Sequence, residues 1–526
     1  MILKKYDSII IFFLFSISLS LRVYNYTKLS VIPDEIEYSD YAFSIIANHW
    51  AWPPEEMVAQ PPLFPYLLAI LTYLFNGSLE VLKTVPIFFG SMDVVMIYFL
   101  GKILYDWRVG LLSAILLCFS SFHLYFSRTL MLETILIFFI LASMYFFWRA
   151  YEKNSIYYSV VSGIFIGLAN DAKYSALLLY PFYTLFLLWT HKRRFLFGWK
   201  SIIEKKFLVI IFVSLIFFSP VLLDLYIYGM NPFYWQLFQR YEVQFVGYKS
   251  VGEFGITDLL IRGFNNYVGL LMDKNSVATS SLPWISAFEL VASALLIITI
   301  LYYLYFLFWR ISRESFLMIM FLVFNAFVAV FSVRFQYYLL WAIPTFFIMM
   351  SNMIINFKDE LNLKYLNKKI KFSLVDFVKI LTLVFACIFI ISYIVIGIYA
   401  PFVNESIKVG YEKHILSIKD KIHQGESIAT DKIEILYYYL NKPDFNTQEN
   451  NIHVLPLYKK EKKLDKIYIV VNLDLLNTAK PRYIITSTYT FFAYATIYDK
   501  ITMKKDYILI SNENDVLLYE RKLSLR

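Results

Sequence analysis

Long apolar runs separated by short polar segments fill the first 400 residues of this 526-residue chain. A run of roughly 17–25 apolar residues can cross the hydrocarbon core of a bilayer as a helix. By this length criterion the sequence predicts about eleven spanning helices, near residues 7–24, 83–104, 109–126, 130–150, 156–171, 174–190, 207–228, 286–309, 315–332, 335–356 and 378–400. The predicted fold class is a polytopic α-helical membrane protein.

Two longer connections interrupt this pattern, at residues 25–82 and 229–285. The first is too polar to span, but residues 38–50 and 62–75 carry enough aromatic and aliphatic side chains to lie along the membrane interface as helices. The second connection mixes aromatic residues with charges of both signs. We predict that both are outer loops of a transmembrane domain that comprises residues 1–400.

Beyond residue 400 charged residues become frequent, and the long apolar runs end. Short stretches rich in β-branched and aromatic residues predict strands, at residues 466–473, 482–486, 506–511 and 515–520. Residues 406–423 and 431–440 are predicted to be helices. The sequence therefore predicts a separate C-terminal α/β domain at residues 401–526.

The charge distribution orients the predicted spans. The chain is 59% hydrophobic and only 17% charged, with a net charge of +9. Its Lys and Arg residues cluster in short loops, notably 191–206 and 357–371, which is the pattern of cytoplasmic loops in membrane proteins rather than of nucleic-acid binding. We therefore predict a plasma-membrane protein whose N-terminus is cytoplasmic and whose C-terminal domain is extracytoplasmic. The first apolar run lacks an evident small-residue cleavage site, so we interpret it as a retained span.

Adjacent carboxylates, Asp34 and Glu35, follow the first span on the predicted outer side. A carboxylate near hydrocarbon costs free energy unless it is hydrated, paired or used in chemistry, so this pair is a candidate catalytic site. Arg128, Lys173 and Arg334 fall on the same side and could bind an anion.

These charged residues also have plainer interpretations. The acidic pair could be a solvated loop or a helix cap, and the arginines could extend from helix ends to the interface. Glu133 could pair with Arg128, or it could join Asp34 around a divalent cation, although two separated acids do not define a metal site.

The order of these features resembles the GT-C fold of membrane glycosyltransferases, particularly the group of dolichyl-phosphate-mannose protein mannosyltransferases and aminoarabinose transferases. The residues that carry the resemblance are Asp34-Glu35, Gln60-Pro61-Pro62-Leu63, Ser127-Arg128 with Met131 and Glu133, Lys173-Tyr174, and Arg334 with Tyr337 and Tyr338.

The resemblance implies transfer of one sugar from a polyprenyl (dolichyl) phosphate to a hydroxyl of a protein, lipid or glycan, with inversion at the anomeric carbon. Asp34 would act as the catalytic base, with Glu35 beside it. The donor phosphate would be bound by basic residues, namely Arg128, Lys173 and Arg334. Further substrate or metal contacts would come from Glu133, Gln60, Tyr38 and Tyr337. The resemblance implies no definite cofactor; a divalent cation is the one candidate.

Two departures from the family pattern limit the resemblance. Ile36-Glu37 stands where the aminoarabinose transferases have a basic residue, which puts a close copy of their phosphate site in doubt. The C-terminal domain lacks the Trp-Trp-Asp motif of oligosaccharyltransferases, which favours transfer of a single sugar over transfer of a whole glycan.

The main alternative is a transporter or lipid flippase with an outer accessory domain. That class predicts polar residues near the middle of the spans and helices broken by Gly or Pro in corresponding halves. A non-catalytic membrane scaffold is a third class, but it gives no reason for the outward acids and bases.

Overall fold

The structure is a computed structural model in which two compact units are distinguished. The first comprises Met1–Thr27, Ala42–Phe233 and Val251–Val403, and the second comprises Lys28–Tyr41, Tyr234–Ser250 and Asn404–Arg526. The residues that the structure describes are 2–28, 33–47, 49–50, 61–75, 78–190, 205–228, 285–309, 313–331, 340–360, 374–399, 414–415, 417, 427–430, 453–456, 458–463, 466–471, 483–487, 507–513 and 516–521.

Sixteen α-helices occur within these residues. They are α1 (Ile2–Val23), α2 (Pro33–Ala47), α3 (Leu63–Phe75), α4 (Leu79–Leu82), α5 (Thr84–Leu104), α6 (Trp107–Cys118), α7 (Ser121–Phe126), α8 (Glu133–Lys153), α9 (Ile156–Ala172), α10 (Leu179–Thr190), α11 (Lys205–Phe217), α12 (Ser219–Tyr228), α13 (Ile285–Trp309), α14 (Arg313–Phe331), α15 (Ile343–Glu360) and α16 (Leu374–Tyr399). In the first unit α5 packs against α6 and α8, α8 packs against α9, and α9 packs against α11.

Each predicted span contains a helix or a pair of helices within its described residues, and three spans are interrupted or begin in another helix type. The span at 109–126 divides into α6 and α7, because the Ser120 side chain accepts the His123 N–H at 3.3 Å and starts a new helix. The span at 207–228 divides at Phe218, just before Pro220, which has no N–H to continue the first helix. The span at 174–190 begins with a 3₁₀ helix, Tyr174–Leu178.

The helices expose large apolar side chains, as expected where lipid replaces water around the protein. Phe12 on α1, Phe212 on α11 and Ile391 on α16 are each more than 60% exposed. Within the described residues, two helical stretches are long and apolar enough to cross a membrane by themselves, Leu79–Leu104 and Glu133–Lys153. The predicted interfacial segments are helical as α2 and α3.

The second unit contains two sheets. The strands are β1 (Ser427–Thr430), β2 (His453–Pro456), β3 (Tyr458–Lys463), β4 (Lys466–Val471), β5 (Tyr483–Ser487), β6 (Tyr507–Glu513) and β7 (Val516–Arg521). A five-stranded sheet has the order β2-β1-β5-β7-β6, in which β1 is parallel to both neighbours and β7 is antiparallel to β5 and β6. Strands β3 and β4 form an antiparallel hairpin.

The four predicted strands correspond to β4–β7, whereas the sequence analysis missed β1, β2 and β3. The charged run Tyr458–Lys463 lacks the apolar alternation by which a strand is recognised, and β1 and β2 are only four residues long. Of the helices predicted at 406–423 and 431–440, only residues 414, 415 and 417 are described, and they are helical. The boundary of a C-terminal α/β domain at residue 401 stays a prediction.

Close packing of α9 on α11 depends on two glycines four residues apart, a spacing that places both on one helix face. A Cβ atom at Gly167 would lie 2.4 Å from Phe217 Cβ and 2.6 Å from the Ser214 carbonyl oxygen. At Gly163 it would lie 2.8 Å from the Ile210 carbonyl oxygen. Small residues at such positions let helix backbones approach in a membrane.

We therefore expect Gly167→Ala to destabilise the first unit by about 1–3 kcal/mol, because the added methyl group must push the two backbones apart. Gly163→Ala should have a smaller effect, since its nearest contact is longer. Apparent melting temperatures of the purified variants in one detergent measure both effects. Wild-type melting of Gly167→Ala would contradict this close approach of the helices.

Candidate functional site

The acidic pair lies in the first turn of α2. The helix begins at Pro33, whose fixed φ suits the first helical position, and Asp34 and Glu35 follow where negative charge is favoured by the helix dipole. Glu35 is fully buried, whereas Asp34 is partly exposed. Within the described part of the chain, no hydrogen bond to the Asp34 carboxylate is formed. Asp34 is therefore the member of the pair that is free to accept a proton.

The next turn of α2 is held by aromatic residues. Tyr38 is 6% exposed, and its ring contacts the Tyr41 ring edge to face with centroids 6.4 Å apart. The Tyr41 hydroxyl donates a hydrogen bond to Glu37. The carboxylate that departs from the aminoarabinose transferase pattern is thus engaged within α2, and it stiffens the helix that carries Asp34.

Arg128 lies in the loop between α7 and α8 and is only 2% exposed. Its Nη2 donates to the Tyr24 carbonyl oxygen at 2.7 Å, which ties the loop to the end of α1. Its Nε is buried and has no hydrogen-bond partner in the described ranges. Burial, together with the positive charge of Arg22, lowers the pKa of Arg128 to about 10. Arg128 is therefore still a cation at neutral pH.

Glu133 and Lys173 form an ion pair between the start of α8 and the end of α9. The Lys173 Nζ lies 2.7 Å from Glu133 Oε1, and the two side chains are 15% and 1% exposed. The same ammonium lies 5.5 Å from the centre of the Trp341 ring, within the range of a cation–π interaction. Sequence reasoning offered Arg128 as the partner of Glu133. In the structure, Glu133 instead forms an ion pair with Lys173, and Arg128 donates a hydrogen bond to a backbone carbonyl.

This arrangement does not suit a divalent cation at Glu133. One carboxylate oxygen is bonded to an ammonium group, whose positive charge would repel a metal ion. No group of three His, Cys, Asp or Glu side chains that could hold a metal occurs among the residues described.

A second buried polar cluster was missed by the sequence analysis. The Nη2 of Arg22 on α1 lies 2.8 Å from Nδ1 of His123 on α7, and Nε2 of His123 lies 3.0 Å from Oδ2 of Asp93 on α5. All three side chains are fully buried. Asp93 lies inside an apolar span, where an acid needs a partner. That signal could have predicted the network.

The network fixes the beginning of the loop that carries Arg128. The Ser127 N–H and hydroxyl both donate to the His123 carbonyl oxygen, at 3.0 and 2.7 Å. A Cβ atom at Gly90 on α5 would lie 2.4 Å from Ser127 Cβ and 3.0 Å from Arg22 Nε. Helices α1, α5 and α7 thus meet at one point, directly before Arg128.

Three other predicted site residues, Gln60, Arg334 and Tyr337, lie outside the described residues. Among the predicted residues of the first unit, the structure brings Glu133 and Lys173 into direct contact and places Arg128 five residues before Glu133.

Comparisons with known proteins agree with this architecture. Residues 59–223 match the sequence model of the family described as dolichyl-phosphate-mannose-protein mannosyltransferase. The matched stretch includes Gln60, Arg128, Glu133 and Lys173. No curated protein matches the sequence significantly.

Solved structures show the same fold at low sequence identity. The archaeal oligosaccharyltransferase AglB from Archaeoglobus fulgidus, in complex with an inhibitory peptide and a dolichol-phosphate, superposes with a TM-score of 0.57 at 14% identity, over 99% of this chain and 75% of that one. ArnT from Cupriavidus metallidurans in the apo state superposes with a TM-score of 0.55 at 12% identity, over 99% of this chain and 98% of that one. ArnT from the same organism bound to undecaprenyl phosphate superposes with a TM-score of 0.50 at 13% identity, again over 99% of this chain and 98% of that one.

The expected resemblance is therefore confirmed. This chain has the GT-C fold of membrane glycosyltransferases, and over residues 59–223 it carries the sequence pattern of the dolichyl-phosphate-mannose-protein mannosyltransferase family.

Proposed function

We propose that this protein is an inverting membrane glycosyltransferase that moves a single sugar from a polyprenyl-phosphate donor to a hydroxyl of a protein, lipid or glycan. The observation that carries the proposal is the family match at residues 59–223, because it includes the buried cation Arg128 and the Glu133–Lys173 ion pair. The fold shared with ArnT and AglB supports it, since solved structures of these two proteins contain undecaprenyl phosphate and dolichol-phosphate, respectively.

Asp34 is the proposed catalytic base. An acceptor hydroxyl is a weak nucleophile until a positioned group takes its proton. Asp34 accepts that proton as the hydroxyl oxygen attacks the anomeric carbon from the face opposite the phosphate. The bond from the anomeric carbon to the phosphate oxygen breaks in the same step, and its electron pair leaves with the polyprenyl phosphate. One displacement inverts the anomeric configuration.

The leaving phosphate gains negative charge in the transition state, so fixed cations nearby lower the barrier. Arg128 is suited to this task because it remains charged at neutral pH and its buried Nε has no partner among the described residues. Native proteins rarely leave a buried donor unsatisfied, so such an atom is a candidate for ligand binding. Lys173 is held in place between Glu133 and Trp341 and adds a second positive charge.

The proposed cellular arrangement follows from the loop charges. The donor site lies on the outer face of the plasma membrane, the N-terminus is cytoplasmic, and the C-terminal domain is extracytoplasmic. In that position the C-terminal domain could hold the acceptor. Deleting residues 402–526 should then reduce transfer to the native acceptor and spare transfer to a small one.

The test of the proposed function is sugar transfer by the purified full chain in lipid. Radiolabelled polyprenyl-phosphate monosaccharides are offered with a mixture of membrane acceptors, and both labelled product and released polyprenyl phosphate are measured. One released phosphate for each transferred sugar, with inverted anomeric configuration, is the expected result. Failure of the folded protein to turn over any of the donors, together with transport of one of them across the membrane, would favour the flippase alternative.

The Lys173→Met variant separates the proposed phosphate role from ordinary stabilisation. We expect transfer to fall by roughly 10²–10³-fold, the usual effect of removing one group that stabilises charge in the transition state. Lys102→Met is the matched control, because Lys102 also pairs with a carboxylate, that of Asp7, elsewhere in the first unit. Equal losses of transfer in both variants, measured per folded protein, would show that Lys173 has no specific role at the leaving phosphate.

A further inference from the structure

A cavity of about 440 Å³ lies in the first unit, away from the residues of the candidate site. It is formed where the end of α8, the beginning of α9, the end of α10 and the beginning of α11 come together. Its lining includes Tyr151, Glu152, Asn154, Leu187, Lys206 and Phe207. Nothing in the proposed transfer reaction uses these residues.

The cavity and the candidate site lie at opposite ends of α8. Glu133 is the first residue of this helix, and Tyr151 and Glu152 belong to its last turn. A 21-residue helix is about 30 Å long, which equals the thickness of the hydrocarbon core. The cavity therefore opens at the membrane interface opposite the donor site, at the level of lipid head groups.

The charged groups of the cavity are of both signs. Lys206 is half-buried and Glu152 is exposed. Neither side chain forms an ion pair or a hydrogen bond with another residue in the described segments. Leu187 and Phe207 are buried and supply an apolar wall. The cavity thus combines one free cation and one free anion, within the described residues, with an apolar surface.

We propose that this cavity binds one membrane phospholipid with a phosphoethanolamine head group. Lys206 binds the phosphate, Glu152 accepts hydrogen bonds from the primary ammonium, and Leu187 and Phe207 contact the glycerol and the first methylenes of the acyl chains. The balanced charge of the lining fits a zwitterionic head group better than an anionic one. A choline head group is disfavoured, because its quaternary ammonium has no N–H to donate.

The test is native mass spectrometry of the delipidated full chain with phosphatidylethanolamine, phosphatidylcholine and phosphatidylglycerol of identical acyl chains. We expect phosphatidylethanolamine to bind more tightly than the other two. Lys206→Gln and Glu152→Gln should each weaken its binding by at least about tenfold, because each removes a charge-assisted hydrogen bond. Lys205→Gln is the matched control, since Lys205 is the exposed neighbour outside the cavity.

A further variant keeps every charge and fills the space. Ala150 lines the cavity and is 3% exposed, so Ala150→Phe should abolish phosphatidylethanolamine binding if the variant melts near the wild-type temperature. Equal binding of the three lipids, or an equal effect of the Lys205 and Lys206 variants, would overturn the proposal. Competition by inorganic phosphate at the lipid's own concentration would show a phosphate site and would overturn the assignment to a lipid.

Discussion

Asp34→Asn is expected to reduce sugar transfer by about 10²–10⁴-fold, the range over which a positioned general base contributes to catalysis. Asparagine has the shape of aspartate but cannot accept the acceptor's proton. Because no described residue hydrogen-bonds to the Asp34 carboxylate, the change leaves few native contacts to lose. Transfer is measured with the radiolabelled donor, and donor binding is measured separately on the same preparation.

Asp40→Asn is the matched control, since it makes the same chemical change six residues further along α2. It should leave transfer within about twofold of wild type, because the proposed proton acceptor is Asp34 and a substitution outside the chemistry usually has a small effect. Full activity of Asp34→Asn would assign the base to another residue, with Glu35 the first to test. Loss of donor binding in Asp34→Asn would show that the residue binds the donor rather than accepting a proton.

Asp93→Ala should destabilise the first unit by about 3–5 kcal/mol, because removal of one member of a buried polar network leaves the His123 Nε2 atom buried without its partner. His123 would lose its bond at Nε2, and Arg22 would lose its electrostatic interaction with the Asp93 carboxyl group. Apparent melting temperature and transfer per folded protein are the two measurements. We expect both to fall, since the same network fixes the start of the Arg128 loop.

Ser91→Ala provides the comparison for Asp93→Ala. Ser91 is buried two residues earlier on α5, and among the described residues its hydroxyl bonds only to the Ile87 carbonyl of its own helix, at 2.8 Å. Its removal should cost about 1 kcal/mol or less. If Asp93→Ala had the same apparent melting temperature as Ser91→Ala, then Arg22, Asp93 and His123 would not act as a network. The Arg128 loop would then be held by its other contacts.

The helices could be predicted from the sequence because each depends on local information. Apolar runs of membrane-spanning length mark α1, α5 and α8 without reference to any other segment. The breaks between helices were harder to predict, since the division between α6 and α7 at Ser120 depends on one side-chain hydrogen bond. The strand β3 escaped prediction because its Lys-rich sequence carries no apolar face.

Pairing between distant charges could not be predicted from the sequence. Lys173 and Glu133 are 40 residues apart, and Arg22 and His123 are 101 apart, so only the packing of the helices shows that they meet. The sequence predicts that Arg128, Glu133 and Lys173 lie on the same side of the membrane. It could not determine which carboxylate joins which cation, and the nearer candidate, Arg128, was not the one found.

The contact between α16 and the end of α6 bears on the order in which the chain can assemble. A Cβ atom at Gly397 would lie 2.1 Å from the Phe119 carbonyl oxygen, so these two backbones touch although 278 residues separate them. Neighbouring helices such as α5 with α6 and α8 with α9 can pair as soon as each has left the ribosome. The Phe119 surface must wait until α16 has been synthesised. The contact between α6 and α16 is therefore among the last contacts of the first unit that can form during synthesis.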